Sequence, residues 1–490
     1  MRLKIKPLKL DAGRPIAFLN ENTAKKLHIH IGERVQISND GQKIIAIADI
    51  VKGFLKKDEV SLSEEIMGYL KTSPKDFVDV DFVLPPKSTQ FIMKKLEGKT
   101  LSRDEIFMII EDISSNLLTE AEIAYFVSGN YEHGMSMQET FYLTEAMYKT
   151  GVNLHWHTKD IVDKHCIGGI AGNRTTPIVV SICAVAGVVM PKTSSRAITS
   201  ASGTADVIET ITKVDFSSKD LQKIVKKTNA CLAWGGSLGL APSDDKLIRV
   251  ERLLNLDPES QLIASILSKK LSVGSKYVLI DIPYGKNAKV NKKEAIGLKE
   301  KFLKVGHHFG LKMQVILTKG DEPIGNGIGP VLEMKDVLRV LRRDAPHPED
   351  LKEKAVLLAG TILEMTKKAG KGWGQLLARE ILESGKAYKK FEEIIEAQGK
   401  KDRELRPARY SRDINASSSG KIKEINNKLI NLIGRVLGCP SDDSSGIYLY
   451  KHCKDRVKKG EILMTLYAES PNKLREALDL YRKSKVIKIN

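Results

Sequence analysis

IVDKHCIGGIAGNRTTP, residues 161–177, reads as a strand that feeds a glycine-rich turn and then a helix. Ile161-Val162-Asp163 forms the strand and Gly168, Gly169 and Gly172 the turn; Thr176 is the expected N-cap, with Pro177 at the first helical position. Glycines let a backbone come close to an anion, and the free N–H groups at a helix start draw negative charge. Lys164 adds a point charge, and Thr175 and Thr176 add hydroxyl donors. The patterns G-x-x-x-x-G-K-[ST] and G-x-G-x-x-G are both absent, so neither a P-loop nor a dinucleotide turn is expected. A tight strand-to-helix turn without a ligand is the plainer alternative.

Outward from this turn, strand-like runs at 161–163, 277–282 and 313–317 alternate with helical ones, which argues for an α/β sheet domain over about 155–400. Charged helices fill roughly 332–400. The polar run 411–420 is expected to separate a last piece, 410–490, of short strands and turns. Upstream, residues 1–84 read as mostly β, with runs at 34–38 and 44–51 punctuated by Gly13, Gly32 and Asn39-Asp40-Gly41. Pro85-Pro86 suits neither a strand interior nor mid-helix and marks a boundary. Beyond it, Ser102-x-x-Glu105, Thr119-x-x-Glu122 and Ser136-x-x-Glu139 are capping boxes, and Ile106, Ile109, Ile110 and Ile113 keep helical spacing. A helical unit over 88–150 follows. No internal repeat or low-complexity tract interrupts the chain.

The whole chain has 490 residues, which predicts three or four domains. Apolar residues make up 42% and charged ones 29%, which excludes disordered, collagen-like and coiled-coil classes. The net charge of +18 favours an anionic partner: nucleic acid, a membrane surface or a phosphorylated small molecule. Aromatics are only 6% and no recognition motif appears, which weighs against nucleic acid. The longest apolar run, 178–190, is too short to span a bilayer, and the N-terminus has no signal-like apolar core. Five cysteines without zinc or C-x-x-C spacing read as reduced thiols. A cytoplasmic protein with no metal is expected.

Three further stretches can carry chemistry. KTSSRAITSASGTADVIE, 192–209, sets seven hydroxyls around Arg196, and a guanidinium fork with neutral donors suits a phosphate. A solvated serine-rich loop is the alternative. LDPESQLIASILSKKLS, 256–272, opens with Asp257 as N-cap before Pro258 and runs a core stripe of Ile263, Leu267 and Leu271. Ser265 and Lys269 share the opposite face and could point into a cleft. By spacing alone Asp257 is better read as a cap, and Lys269 as a solvated lysine. DIPYGKNAKV, 281–290, ends a strand and offers Lys286 and Lys289 to an anion, or forms an exposed basic turn.

Together these four stretches resemble the thymidine phosphorylase (pyrimidine-nucleoside phosphorylase) family over nearly the whole of 88–490. KHCIGGIAGN is similar to that family's phosphate loop, SSRAITSASGTADVIE to its signature, and SQLIASILSKKL to its base-recognition helix. Residues 1–84 look like the extra N-terminal domain of a long-form branch that includes the archaeal AMP phosphorylases. The implied fold class is multidomain, α/β with α+β. It has an N-terminal β domain (1–84), a helical lobe (88–150, completed by about 242–275) and an α/β phosphate-binding lobe (155–400). The active site would lie in the cleft between the two lobes. The small C-terminal α+β domain (410–490) carries Asp455-Arg456-Val457-x-x-Gly460-Glu461 and lacks a carrier lysine.

The resemblance implies reversible phosphorolysis of an N-glycosidic bond, with inorganic phosphate as co-substrate and no cofactor. The substrate would be a nucleoside monophosphate or, in the rival reading, a pyrimidine nucleoside. Lys164, Ser194 and Thr204 would hold phosphate with help from Thr176. His165, Ser265 and Lys269 would face the base, and Asp257 would be its proton donor. Gly169, the loop Ser195, Arg196, Ala197, Ile198, Thr199 and Ser200, with Thr204, Ser265 and Lys289, would contact the nucleotide. A 5′-phosphate pocket of Arg196, Lys289 and Lys286 would account for part of the basic charge. Two residues depart from the family pattern: Cys166 replaces a serine that donates to phosphate, and Ser202 replaces a glycine or alanine. The resemblance also implies a homodimer through the helical lobe, or a larger homo-oligomer. A relative silenced by Cys166 is the remaining alternative.

Overall fold

The computed structural model describes residues 1–197 and 200–490, so Ile198 and Thr199 of the expected substrate loop lie outside the described residues. The chain divides into two compact units, one of residues 1–150 with 241–265, the other of 151–240 with 266–490.

In the first unit, strands Arg2–Ile5, Ile16–Asn20, Arg34–Asn39, Gln42–Val51, Glu59–Leu62 and Phe77–Phe82 close into a barrel. The last strand pairs with the first, Leu3 opposite Val78, so no edge is left open. Alternation puts Leu3, Ile5, Val78 and Val80 inside with Val35 and Ile37. Asp40 and Gly41, at φ 45° and 81°, make the two-residue hairpin turn that right-twisted strands favour.

Helices Ser88–Leu96, Arg103–Ser114, Glu120–His133, Met137–Lys149 and Pro242–Leu254 follow. All three capping boxes close reciprocally: Glu105 N–H donates to Ser102 Oγ at 3.3 Å, while Ser102 N–H donates to the Glu105 carboxylate at 2.7 Å. Ile106, Ile109, Ile110 and Ile113 are all buried in the helical core with Phe126 and Leu247. Buried Arg34 joins barrel to helices by donating to the Leu117 carbonyl and pairing with Glu122, itself a capping-box residue.

Glu145 ties two of these helices together. It accepts from Arg103 at 2.9 and 3.0 Å and pairs with Lys149 at 2.7 Å, and these cations hold its carboxyl down at about 2. Its folded pKa lies below the ordinary 4.5, so its stabilisation is complete above pH 4.5 and is lost as pH falls through about 2. Glu145→Gln should therefore remove about 1 kcal/mol of the acid-dependent loss, discounted because Arg103 is half exposed. Urea midpoints of both proteins between pH 6 and pH 2 check this; parallel curves would count against it.

In the second unit, strands Lys312–Lys319, Tyr277–Tyr284 and Val162–Cys166 lie parallel in that order. Met190–Ser194 and Ala230–Trp234 form a second parallel pair, and a single parallel bridge from Ile161 to Val189 joins the two groups. Helices Thr176–Val185, Pro330–Arg342, Glu349–Met365, Gly374–Glu383 and Lys386–Ala397 pack around one core with this sheet. Thr176–Val185 is apolar almost all round because all of it but Val185 is buried.

The polar run 411–420 is not a separator. Tyr410–Asn415 and Gly420–Ile425 are strands, their polar side chains facing outward and Ile414 and Ile422 inward. The irregular stretch lies earlier, at 401–408. The strand Gly327–Ile328, from within the α/β region, pairs with Gly446–Leu449 and so completes a four-stranded sheet with Ile462–Ala468 and Tyr410–Asn415. Among the described residues no helix is long and apolar enough to cross a membrane.

Candidate functional site

The glycine turn is built where the strand Val162–Cys166 ends. Gly168, Gly169 and Gly172 have φ of 88°, 89° and 68°, a region that L side chains avoid. A Cβ on Gly169 would stand 2.8 Å from the Lys289 nitrogen, so Lys289 packs against this turn. The helix begins at Thr176 with Thr175 in the cap position, one residue earlier than the sequence predicts. Thr175 already has helical φ and ψ and makes no side-chain cap bond. Its hydroxyl instead accepts from Lys164 Nζ at 2.9 Å, and that of Thr176 at 3.4 Å.

Lys164 is 2% exposed, and those two hydroxyls are its only side-chain bonds among the described residues. Burial pushes its pKa below that of an ordinary lysine, with Asp281 pulling the other way. Around it, Asp163 pairs with Lys270 at 2.7 Å and Lys192 at 3.3 Å, and Asp281 pairs with Lys354 at 2.9 Å. Burial pushes Asp163 up, but the two lysines outweigh it and hold it below the usual carboxylate range. Burial likewise raises Asp281, and Lys354 and Lys164 bring it down. Four buried lysines thus meet two buried carboxylates, leaving a positive surplus at the sheet end. His165 is kept neutral, first by burial and then by Lys270, Lys192, Lys269 and Lys164.

The second loop is organised by its own acids. Asp206 accepts from the Ala197 and Gly203 N–H groups at 2.7 and 2.8 Å. The Arg196 guanidinium, expected to fork onto a phosphate, is instead bound to Glu209 through both terminal nitrogens, meets Asp206 at 3.3 Å and lies 4.7 Å from the Trp234 ring centre. Those carboxylates raise its pKa further. Lys286 is also engaged, by Glu424 at 3.0 Å. Ser194 Oγ is buried without a partner among the described residues. Ser200 Oγ donates to the Ser202 carbonyl at 2.9 Å. The carbonyl of Ser195 accepts from Ala205 N–H at 3.3 Å, which folds the loop back on the helix Thr204–Glu209.

Sequence reasoning missed Arg174 and Glu333. Arg174 donates to Thr204 Oγ1 at 2.6 Å, to the Ser202 carbonyl at 3.0 Å and to the Gly172 carbonyl at 3.5 Å, so it binds the two loops together. It is held by buried Glu333 at 2.7 Å, which also accepts from Gly329 N–H and the Ser202 hydroxyl. The Ser202 departure therefore supplies a donor to a buried carboxylate. Thr204 accepts from Arg174 and keeps its own proton to give. At the other departure, burial raises the Cys166 thiol, and Asn173 approaches its sulfur at 3.5 Å.

Asp257 and Ser265 belong to the first unit, Lys269 to the second. The helix Glu259–Ser272 starts one residue later than expected: the Pro258 carbonyl accepts the first helical bond, from Leu262 at 2.9 Å, and Asp257 precedes the cap. Ile263 and Leu267 are core residues, whereas Leu271 is only half-buried. Lys270, unnoticed beside Lys269, is the buried partner of Asp163, and burial lowers it to about 8.

Comparison with known proteins shows the family. Residues 89–151 match the helical bundle domain of the glycosyl transferase family, 158–388 its a/b domain, and 421–488 the pyrimidine nucleoside phosphorylase C-terminal domain. An AMP phosphorylase of Pyrococcus furiosus is 42% identical over 495 residues, covering 100% of this chain and 98% of that protein. One from Methanococcus aeolicus is 40% identical, covering 99% and 97%. A putative thymidine phosphorylase of Legionella pneumophila strain Corby is 42% identical over 451 residues, covering 92% and 87%. Among solved structures, anthranilate phosphoribosyltransferase from Thermus thermophilus shares the fold at a TM-score of 0.52 and 16% identity, over 63% of this chain and 98% of that one.

Proposed function

We propose, because this chain belongs to the family of pyrimidine-nucleoside and AMP phosphorylases, that it is an AMP phosphorylase. It would carry out the reversible phosphorolysis of a nucleoside 5′-monophosphate to free base and ribose 1,5-bisphosphate. The observation that carries this reading is Lys164, a buried cation that forms no ion pair among the described residues, beside two anion-suited loops. Burying a charge with no carboxylate in direct contact is costly, and a phosphate dianion would offset that cost.

Phosphate held by Lys164, Thr176, Ser194 and Thr204 attacks the anomeric carbon as the bond to the base breaks. Positive charge develops on the sugar and negative charge on the base. The dianion stabilises the first, and a proton from Asp257 neutralises the second. Neutral His165 can exchange hydrogen bonds with the base, where Ser265 and Lys269 are proposed to assist. Gly169, Ser195, Ala197, Ser200 and Lys289 remain the proposed nucleotide contacts.

The proposed 5′-phosphate pocket is Lys289, which packs against the glycine turn, with Arg196 and Lys286, which would exchange a carboxylate for the phosphate. Phosphate-dependent base release from AMP, CMP, UMP, adenosine, thymidine and uridine tests the reading. Monophosphates are expected to turn over faster, and Lys289→Ala to slow AMP by about tenfold while sparing adenosine. Turnover of thymidine or uridine alone would select the second reading, thymidine phosphorylase, which the Legionella relatives favour.

A further inference from the structure

A cavity of about 400 Å³ opens between the helices Pro330–Arg342 and Lys386–Ala397 and the irregular stretch that follows them. Six cations line it: Lys335, Arg339, Arg342, Lys400, Lys401 and Arg403, against Asp344 and Glu392. Arg403 is offset by Asp443, and Arg339 by Asp336 at 3.7 Å. Lys335, Arg342 and Lys400 form no ion pair among the described residues, and Lys401 donates to the Glu209 carbonyl. Arg342 is held in place by an uncharged group, Tyr388, whose hydroxyl accepts from its Nε at 3.0 Å and whose ring centre lies 5.2 Å away. The same hydroxyl donates to the Glu392 carboxylate at 3.0 Å, so the side chain is oriented without a direct ion pair.

The remaining wall is apolar, from Leu338, Ile395 and Leu405. We propose that this cavity is a second ligand site, which takes a nucleoside polyphosphate with its phosphates on Lys335, Arg342, Lys400 and Lys401 and its base against the apolar wall. Four cations that have no salt-bridge partner among the described residues exceed what one phosphate engages, which selects a polyphosphate over a monophosphate. The volume lies within the range of small-molecule pockets. The site is also stitched to the substrate loop, because Lys401 N–H donates to the Ile211 carbonyl and Glu209 grips Arg196.

The test is equilibrium dialysis of the full chain against ATP, with AMP in excess and phosphate omitted so that nothing turns over. One ATP per chain is expected to stay bound. The double variant Arg342→Ala with Lys400→Ala should weaken it about tenfold or more, the loss of two charge-assisted bonds. Base release measured without ATP should be unchanged. Leu405→Glu, which sets a carboxylate in the cavity and leaves the cations in place, should give the same loss. No ATP binding, displacement by AMP, or binding that both variants leave intact overturns the site. Binding is located by these variants and read without turnover, so failure of the reaction proposed above leaves the test standing.

Discussion

Lys164→Met is expected to lower phosphate-dependent base release by about 10²–10³-fold, the usual cost of deleting one electrostatic donor from a reaction centre. Methionine keeps most of the side-chain volume but removes the charge and with it the two hydrogen bonds to Thr175 and Thr176. The same substitution should not lower thermal stability: relief from burying a cation offsets the loss of its two hydrogen bonds to Thr175 and Thr176, so the melting temperature holds or rises. That opposite response of activity and stability separates a charge kept for a ligand from one kept for the fold. Steady-state kinetics with phosphate as the varied substrate, together with a melting curve, read both. Activity within about threefold of the parent would remove Lys164 from the phosphate site.

Asp163→Ala should show the reverse pattern, with stability the larger casualty. It strands Lys192 and Lys270, both buried, and breaking a buried ion pair on one side costs about 3–5 kcal/mol. The loss should shrink at alkaline pH. Lys270 already sits at about 8, below an unfolded lysine at 10.5, so proton release favours the folded state as pH rises through that interval. Without Asp163 that release begins lower still. Urea unfolding of parent and variant at pH 7 and pH 9.5 checks both parts. A gap under about 1 kcal/mol at pH 7, or one that widens at pH 9.5, would contradict them.

What the sequence disclosed divides by range. The three capping boxes involve residues three apart, so local chemistry names them and the helices follow. The glycine turn is legible for the same reason, and its helix start is displaced by only one residue because Thr175 serves Lys164 instead of capping. Asp206 and Glu209 stand in the same quoted stretch as Arg196, so their claim on it was open to a charge count along the loop. Glu333 is another matter. It lies 159 residues from Arg174, and no spacing rule connects them. Lys270 is masked by position as well: next to Lys269 on a helix enclosed on most sides, it looks like one more surface lysine until Asp163 is placed beneath it.

The strand Gly327–Ile328 has a consequence for the chain in time. Its partners, Tyr448 and Ile447, are made about 120 residues later. At about 5–20 residues per second of synthesis, that edge waits roughly 6–24 s for its neighbour. The core of the α/β region can assemble in that interval, but the segment after Ile324 has no sheet to join until the ribosome is nearly finished. A premature stop anywhere in 401–408 therefore orphans a strand on the upstream side as well as deleting the downstream one.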